Sequence, residues 1–243
     1  MNCPHSSPIR ACLATLVLSL GTLPSGARAG TVSASASPNA LIPDGNESGY
    51  ASVIQIPDPS GLVIEDVNIT LDIVGHSGGG WNGDLYVYLA HGGTLSILVN
   101  RPGLSGTSPF GYGDNGLASV TFDDTAALGD FHVYQTTLGT TDSDQPISGS
   151  FQPDGRFVDP LAVSSADPRD ALLDEFIDLD VDGEWRLFIA DLSPGGEFRL
   201  AGWQPDITTR DRIAVPESTL GFWIGGLSLG LGWVHYRGRR RAR

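Results

Sequence analysis

A possible nucleophile lies at the end of a strand-like stretch. Residues Gly75-His76-Ser77-Gly78-Gly79 fit the G-x-S-x-G pattern of a nucleophile elbow. That chemistry needs a strand, a sharp turn and then a helix, which together lift the serine above the sheet. Here the residues 80–83 and a further strand pattern follow, so no helix is available. Because the same pattern recurs in an apolar run at 226–230, it is weak, and we do not expect Ser77 to be a hydrolase nucleophile.

Acidic residues with metal-ligand spacing occur at 178–183. The run Asp178-x-Asp180-x-Asp182-Gly183 begins like the calcium loop of an EF-hand, whose twelfth position holds a bidentate Glu. That position is Ile189, inside a strand pattern, so an EF-hand is excluded. Three histidines, at positions 76, 91 and 132, lack the paired spacing of zinc ligands and are expected to be ordinary loop and strand residues.

These residues are set among short segments that alternate between apolar and polar side chains, as strands with one buried face do. In the cleanest of them, Val67, Ile69, Leu71 and Ile73 share one side. Two further segments predict a hairpin across His91-Gly92-Gly93. The predicted strands are 51–56, 63–73, 85–89, 95–99, 118–122, 185–190 and 198–207. Frequent short strands with turn residues between them favour an all-β sandwich of antiparallel strands.

Other stretches predict loops and little helix. Residues 102–116 and 136–155 are rich in Gly, Ser, Thr and Pro and are expected to be loops. A short helix is expected to begin at Asp167, with Pro168 in its first turn, and to present an apolar face over 172–177.

Two stretches a hundred residues apart carry a family resemblance. The first is Gly83-Asp84-Leu85-Tyr86-Val87-Tyr88-Leu89, and the second is Gly183-Glu184-Trp185-Arg186-Leu187 with Asp191 and a closing Gly202-Trp203. Together they resemble the P domain (P/Homo B), the β-sandwich that accompanies the catalytic domain of subtilisin-like proprotein convertases. The resemblance implies a jelly-roll-like sandwich over 51–209, closed by Trp185 and Trp203, and a binding or stabilising module.

The resemblance also implies a place for calcium. Some P domains carry structural Ca²⁺ at strand boundaries, and the matching positions are Asp84, Asp124 and Asp191. Carboxylates of this kind are typical Ca²⁺ ligands, although each could equally bind backbone amides in a turn. We therefore expect a structural Ca²⁺ site at these three residues.

A subtilisin-like catalytic site is not expected. Gly106-Thr107-Ser108 begins like the serine motif of that family, but Pro109-Phe110-Gly111 breaks it. His91-Gly92-Gly93-Thr94 likewise departs from the family's His-Gly-Thr pattern. The chain is also too short to hold a subtilisin-like domain beside the sandwich, so we expect no enzymatic activity.

Residues 1–29 predict a secretory signal peptide. Arg10 precedes an apolar segment at 11–23, and Ala27-Arg28-Ala29 fits a cleavage site. The segment is too short for a transmembrane helix. Both cysteines, Cys3 and Cys12, fall in this leader, so the exported chain is expected to have no disulfide and to begin with a flexible lead at 30–50.

The other end of the chain resembles the PEP-CTERM sorting signal of Gram-negative bacteria. Val215-Pro216-Glu217 lies in a linker at 210–218 and precedes an apolar run at 219–236, long enough for a single transmembrane helix, and a basic cytoplasmic end at 237–243. The resemblance implies recognition by an exosortase near Pro216-Glu217 of an inner-membrane-anchored precursor. The product would then reach the cell surface or the medium. A plain C-terminal anchor without processing is the alternative.

The net charge of the chain limits the classes of partner that it can bind. Between Gly30 and Ala214 the chain has 27 acidic residues, seven Arg and no Lys, a net charge of −20. Such a surface repels nucleic acid. We expect an exported, non-catalytic protein with a structural, adhesive or binding role toward surface polysaccharide or another surface protein. Two alternatives stay open: a carbohydrate-binding module that uses the rings of Trp81, Tyr86, Tyr88 and Tyr112, and an accessory domain of a separate subtilisin-like protease.

Overall fold

The computed structural model describes residues 29–212 except 59, 77, 78 and 140–144. These residues are mostly β-structure. The strands are β1 Ala29–Ser33, β2 Ala40–Ile42, β3 Asn46–Ile56, β4 Leu62–His76, β5 Leu85–His91, β6 Thr94–Asn100, β7 Gly116–Phe122, β8 Ile147–Phe151, β9 Gly183–Asp191 and β10 Glu197–Asp211. One α-helical turn, α1 Tyr134–Leu138, and 3₁₀ turns at Asn82–Asp84, Phe131–Val133 and Leu173–Phe176 complete the described elements.

The strands form two sheets. The larger has the order β1-β10-β4-β7-β8, with β2 also pairing with β10, and the smaller has the order β3-β9-β5-β6. Among the described strands the pairings are antiparallel except that of β7 with β8, which is parallel. The expectation of an antiparallel fold is therefore wrong for this pair. A parallel pair needs a crossover of a dozen residues or more, and the connection between β7 and β8 supplies it.

The hydrophobic core lies between the two sheets. Leu71 of the larger sheet and Val87 and Leu187 of the smaller sheet belong to one buried cluster. Trp185 and Trp203 are 0% and 2% exposed, as the sequence predicts. The indole N–H of Trp203 donates to Ser52 Oγ at 2.9 Å, which joins β10 of one sheet to β3 of the other. A buried indole N–H usually has such an acceptor, because leaving it without one costs free energy.

The hairpin of β5 and β6 is also confirmed. Its two-residue turn is Gly92-Gly93, with φ of 60° and 88°. Positive φ at both central positions is the type I′ geometry whose twist matches that of paired strands. The pairing sets Tyr86 opposite Asn100 at the far end of the hairpin.

Three expectations about loops and arms are wrong. The lead at 30–50 is not a free arm, because β1 pairs with β10 over five residues and β2 and the start of β3 follow. The polar stretch 136–155 contains β8, whose ends Ile147 and Phe151 are buried. Asp167 does not begin a helix: its Oδ2 accepts from the Ser164 N–H, and only Leu173–Phe176 forms a 3₁₀ turn.

The predicted sorting signals lie outside the described residues. These are the signal peptide up to residue 28, the Val215-Pro216-Glu217 motif and the apolar run at 219–236. Within the described part of the chain, no helix is long and apolar enough to span a bilayer.

Candidate functional site

Aromatic side chains lie on the face of the smaller sheet that points away from the core. Residues 85, 87 and 89 of β5 are buried in the core, so Tyr86 and Tyr88 between them face outward. Phe188 of β9 is paired directly with Tyr88. The rings of Tyr88 and Phe188 are stacked at 4.8 Å, and Tyr86 meets Tyr88 edge to face at 6.1 Å. Each ring therefore restrains its neighbour.

A groove of about 480 Å³ runs along two of these rings. Tyr86 and Phe188 line it from the sheet, and Glu47 lines it from the start of β3. On another side it is bounded by a loop that contributes Asp159 and the 73%-exposed side chain of Leu161. The groove thus combines ring surfaces with carboxylate groups from separate elements.

The polar groups that line the groove are available to form hydrogen bonds with a ligand. The Glu47 carboxylate has no hydrogen-bond or ion-pair partner among the described residues. Asp159 Oδ1 accepts from the Leu161 N–H at 2.9 Å, and its Oδ2 accepts no hydrogen bond from the described residues. Burial raises the pKa of the Tyr86 phenol, with smaller contributions from Tyr88 and Asp154, so its O–H stays protonated. The site can stack against a flat apolar face while it accepts hydrogen bonds.

The structure separates the four rings that the sequence suggested. Tyr86 and Tyr88 are together on the outer face. Trp81, 56% exposed, lines a different, small cavity beside Asp84. Tyr112 packs at 4.8 Å against the buried ring of Tyr134. Phe188 was not identified from the sequence as part of the site. The signal was available, because Phe188 lies between the core residues 187 and 189 of β9 and must therefore face outward, where β9 pairs it with Tyr88.

Two of the three predicted calcium ligands are neighbours. Asp84 immediately precedes β5, and Asp191 ends β9 opposite Leu85. Both are buried, at 8% and 1% exposure. Burial raises the pKa of Asp191 to about 7, and repulsion from Asp84 and Asp44 adds to the shift. The guanidinium of Arg101 lies beside Asp84, with Nη2 at 3.5 Å from Asp84 Oδ1.

The third predicted ligand lies in a different environment. Asp124 accepts the backbone N–H groups of Leu173 and Asp174 at 3.1 and 2.7 Å and so caps the 3₁₀ turn there. No group of three or more His, Cys, Asp or Glu residues within the described ranges is arranged to hold a metal ion. Asp124 therefore lies with the 3₁₀ turn, whereas Asp84 and Asp191 lie together beside β5 and at the end of β9, and the Ca²⁺ site expected from the sequence stays a prediction.

A buried His–Asp pair has the residue types of a catalytic dyad. His132 Nδ1 is 2.9 Å from Asp154 Oδ2, and its Nε2 is 3.3 Å from Leu104 O. Arg156 continues the network, from Asp154 to Asp130. Burial lowers the pKa of His132, but the hydrogen bond and charge of Asp154 outweigh it and raise the pKa. Both ring nitrogens of His132 lie against acceptors inside the protein, so neither is directed at a substrate as the nitrogen of a general base would be.

The side chains of two other candidate catalytic residues, His91 and Ser108, are also hydrogen-bonded to backbone oxygens inside the protein. His91 lies between the carbonyl oxygens of Glu184 and Asp180 at 3.0 and 2.6 Å and stacks on Trp185 at 4.1 Å. Ser108 Oγ donates to Gly111 O within its own loop. Ser77 lies outside the described residues.

Comparison with known proteins gives a low-identity likeness to a protease. The chain is similar to part of the serine protease of Aeromonas sobria in two crystal structures. In the complex with the chaperone, identity is 16% and the TM-score 0.41, over 76% of this chain and 28% of that one. In the protease structure, identity is 15% and the TM-score 0.40, over 74% and 27%. No family model and no curated protein matches the chain.

Proposed function

We propose that the protein is an exported, non-catalytic binding module with a P-domain-like jelly-roll fold, and that its binding surface is the groove along Tyr86 and Phe188. The observation that carries this proposal is the groove itself: about 480 Å³ of open space against restrained rings. Ligand sites are concave, mostly apolar and furnished with a few polar groups, as this groove is.

The state of the buried polar groups supports a non-catalytic role. A general base needs a lone pair directed at a substrate, but the nitrogens of His132 and His91 each lie against acceptors inside the protein. Ser108 is bonded to its own loop. A serine-directed fluorophosphonate probe should leave the purified protein unlabelled, and labelling of any serine would refute this part of the proposal.

Export and sorting complete the proposal. The signal at 1–29 directs secretion, and an exosortase recognises Val215-Pro216-Glu217 ahead of the membrane helix at 219–236. The last described strand ends at Asp211, so cleavage at this motif would leave the two sheets whole. The intact mass of the protein isolated from the surface of native Gram-negative cells should equal that of a polypeptide that begins at Gly30 and ends near Pro216. A mass that retains 219–236 would indicate the plain anchor instead.

Binding to cells tests the groove directly. Purified protein with a fluorescent label should bind saturably to cells from which its gene has been deleted, and the Tyr86→Ala variant should bind at least tenfold more weakly. Trp81→Ala is the matched control, because this exposed ring lies outside the groove. Equal binding by Tyr86→Ala and wild type would refute the proposed surface. Co-purification of a serine protease, with no binding to cells, would favour the accessory-domain alternative.

A further inference from the structure

We infer that the groove binds a neutral hexopyranose glycan, with Tyr86 as the stacking platform and Glu47 and Asp159 as acceptors for sugar hydroxyl groups. This inference rests on the proposed binding function and names the ligand class of the same groove. Three observations carry it: the restrained rings, the two carboxylates, and the lack of free backbone groups in the central strands.

The rings fit one face of a sugar. A pyranose presents a flat patch of C–H groups that packs against an aromatic face, while its hydroxyl groups remain at the edge. Tyr86 is held by Tyr88, and Tyr88 by Phe188, so little side-chain entropy is lost when a ligand stacks on Tyr86. The platform is formed before binding.

The carboxylates select for hydroxyl groups and against negative charge. Glu47 is exposed and unpartnered among the described residues, and Asp159 keeps one oxygen free. A carboxylate accepts strong hydrogen bonds from adjacent hydroxyl groups. Two carboxylates on a body of net charge −20 repel uronic acids and sulfated sugars, so the ligand is neutral.

The backbone argues against a peptide as the occupant. Extended peptides gain affinity by pairing with an exposed strand edge. Tyr86 lies in β5 and Phe188 in β9, and each of these strands is paired on both sides within the smaller sheet. Along Tyr86 and Phe188 the ligand is therefore recognised by side chains, as a glycan is, and the edge strand β3 contributes Glu47 at the side of the groove.

Calorimetric titration of the purified full-length protein tests the inference. The probes are neutral gluco-, manno- and galacto-oligosaccharides of six sugars, with hexagalacturonate as the charged counterpart. At least one neutral hexasaccharide should bind with a Kd of about 10⁻⁵ to 10⁻³ M, and hexagalacturonate should not. Tyr86→Ala should weaken binding about tenfold or more, Glu47→Gln about tenfold, and Trp81→Ala not at all.

The variants also keep the test decisive. Glu47 is exposed, so Glu47→Gln reports on the groove even if Tyr86→Ala does not fold. If no neutral hexasaccharide binds while Tyr86→Ala still loses binding to cells, the glycan inference fails and the binding surface stands. Binding of an Arg-rich decapeptide that depends on Glu47 and Tyr86, without glycan binding, would assign the groove to a basic peptide. If the wild-type protein binds neither a neutral hexasaccharide nor the cells, both the proposed binding function and its glycan ligand are refuted.

Discussion

Asp191 combines almost complete burial with two nearby carboxylates. Burial raises its pKa to about 7, well above the ordinary value of about 4 for an aspartic acid. Between these two values the folded state keeps the proton and the unfolded state releases it, so the free energy of unfolding falls as pH rises from about 4 to 7. Asp84, whose pKa is also raised, contributes in the same direction from about pH 4 upward, and His132, whose pKa is raised from about 6.5, contributes in that direction only above about pH 6.5.

Asp191→Asn should remove most of this pH dependence. The variant should match the wild type near pH 4.5 and be more stable at pH 8 by on the order of 2 to 4 kcal/mol, since one unit of pKa corresponds to about 1.4 kcal/mol. Urea unfolding at pH 4.5, 6, 7 and 8 measures it. Asp170→Asn, at an exposed position, is the matched control. Parallel profiles for Asp191→Asn and wild type would show that this carboxyl is not the titrating group.

Asp124 provides a second prediction at this scale. Because its two oxygens accept two backbone N–H groups at the start of the 3₁₀ turn, Asp124→Ala should cost about 1 to 2 kcal/mol of unfolding free energy. Asp174→Ala, at the exposed neighbour, should cost much less. The loss should be the same with and without EDTA. If EDTA abolished the difference between variant and wild type, Asp124 would be a metal ligand after all.

Individual residues were predictable from sequence where their role follows from alternation. Trp185 and Trp203 are buried, as expected, because each lies on the apolar side of its strand. The capping role of Asp124 was not predictable, because its partners are about fifty residues away along the chain. Only part of the groove was predictable from the sequence. The outward position of Tyr86 and Tyr88 follows from the alternation of residues in β5, whereas Glu47 and Asp159 are brought to the groove only by tertiary packing.

At the scale of elements, the N-terminal segment shows why some strands cannot be predicted from the residue pattern. Residues 31–36 are Thr, Val, Ser and Ala, and their small side chains give little hydrophobic signal. Their exposure nevertheless alternates, and Val32, Ala34 and Ala36 pack against the core. β8 escaped for a similar reason, because Ser148, Gly149 and Ser150 separate its two apolar ends. Both strands are specified by backbone pairing more than by side-chain pattern.

Hydrogen exchange should distinguish a paired N-terminal segment from a free arm. The N–H groups of Ala34 and Ala36 donate to Pro205 O and Trp203 O at 3.3 and 3.0 Å. Amides in such ladders exchange only on local or global opening. They should therefore be protected by at least about a hundredfold over the unpaired amides of the neighbouring Ser35 and Ser37, which serve as internal controls. Equal exchange across residues 34–37 would restore the flexible arm.

The same pairing makes Ala36 sensitive to proline. Proline lacks an N–H, and Ala36→Pro should lower the melting temperature by several degrees, since losing a ladder bond beside the buried Trp203 costs on the order of 1 to 3 kcal/mol. Ser35→Pro is the matched control because Ser35 is exposed and forms no backbone bond with β10. Its effect on the melting temperature should be smaller. A larger loss for Ser35→Pro would mean that this segment is out of register.

At the scale of the whole molecule, two sheets with a shared core were predictable because the central strands bury every second residue. The parallel crossover from β7 to β8 was not, since nothing in a polar connection specifies which edge its strand joins. What the sequence does specify at this scale is charge. A body with 27 acidic residues and seven Arg is a source of self-repulsion that no single pair relieves.

This self-repulsion should make stability depend on salt. Screening at 0.5 M NaCl shortens the range of charge interactions to a few ångströms, so the melting temperature at pH 8 should rise by on the order of 5 °C between 0.05 and 0.5 M NaCl. The pI of about 4.5 for the full sequence includes seven Arg outside this body, so the body loses most of its net charge only at about pH 3.5, where most carboxylates are protonated, and there the rise should nearly vanish. Scanning calorimetry at both pH values measures the two slopes. Equal slopes would mean that salt acts by exclusion from the surface rather than by screening, because only screening depends on the net charge of the protein.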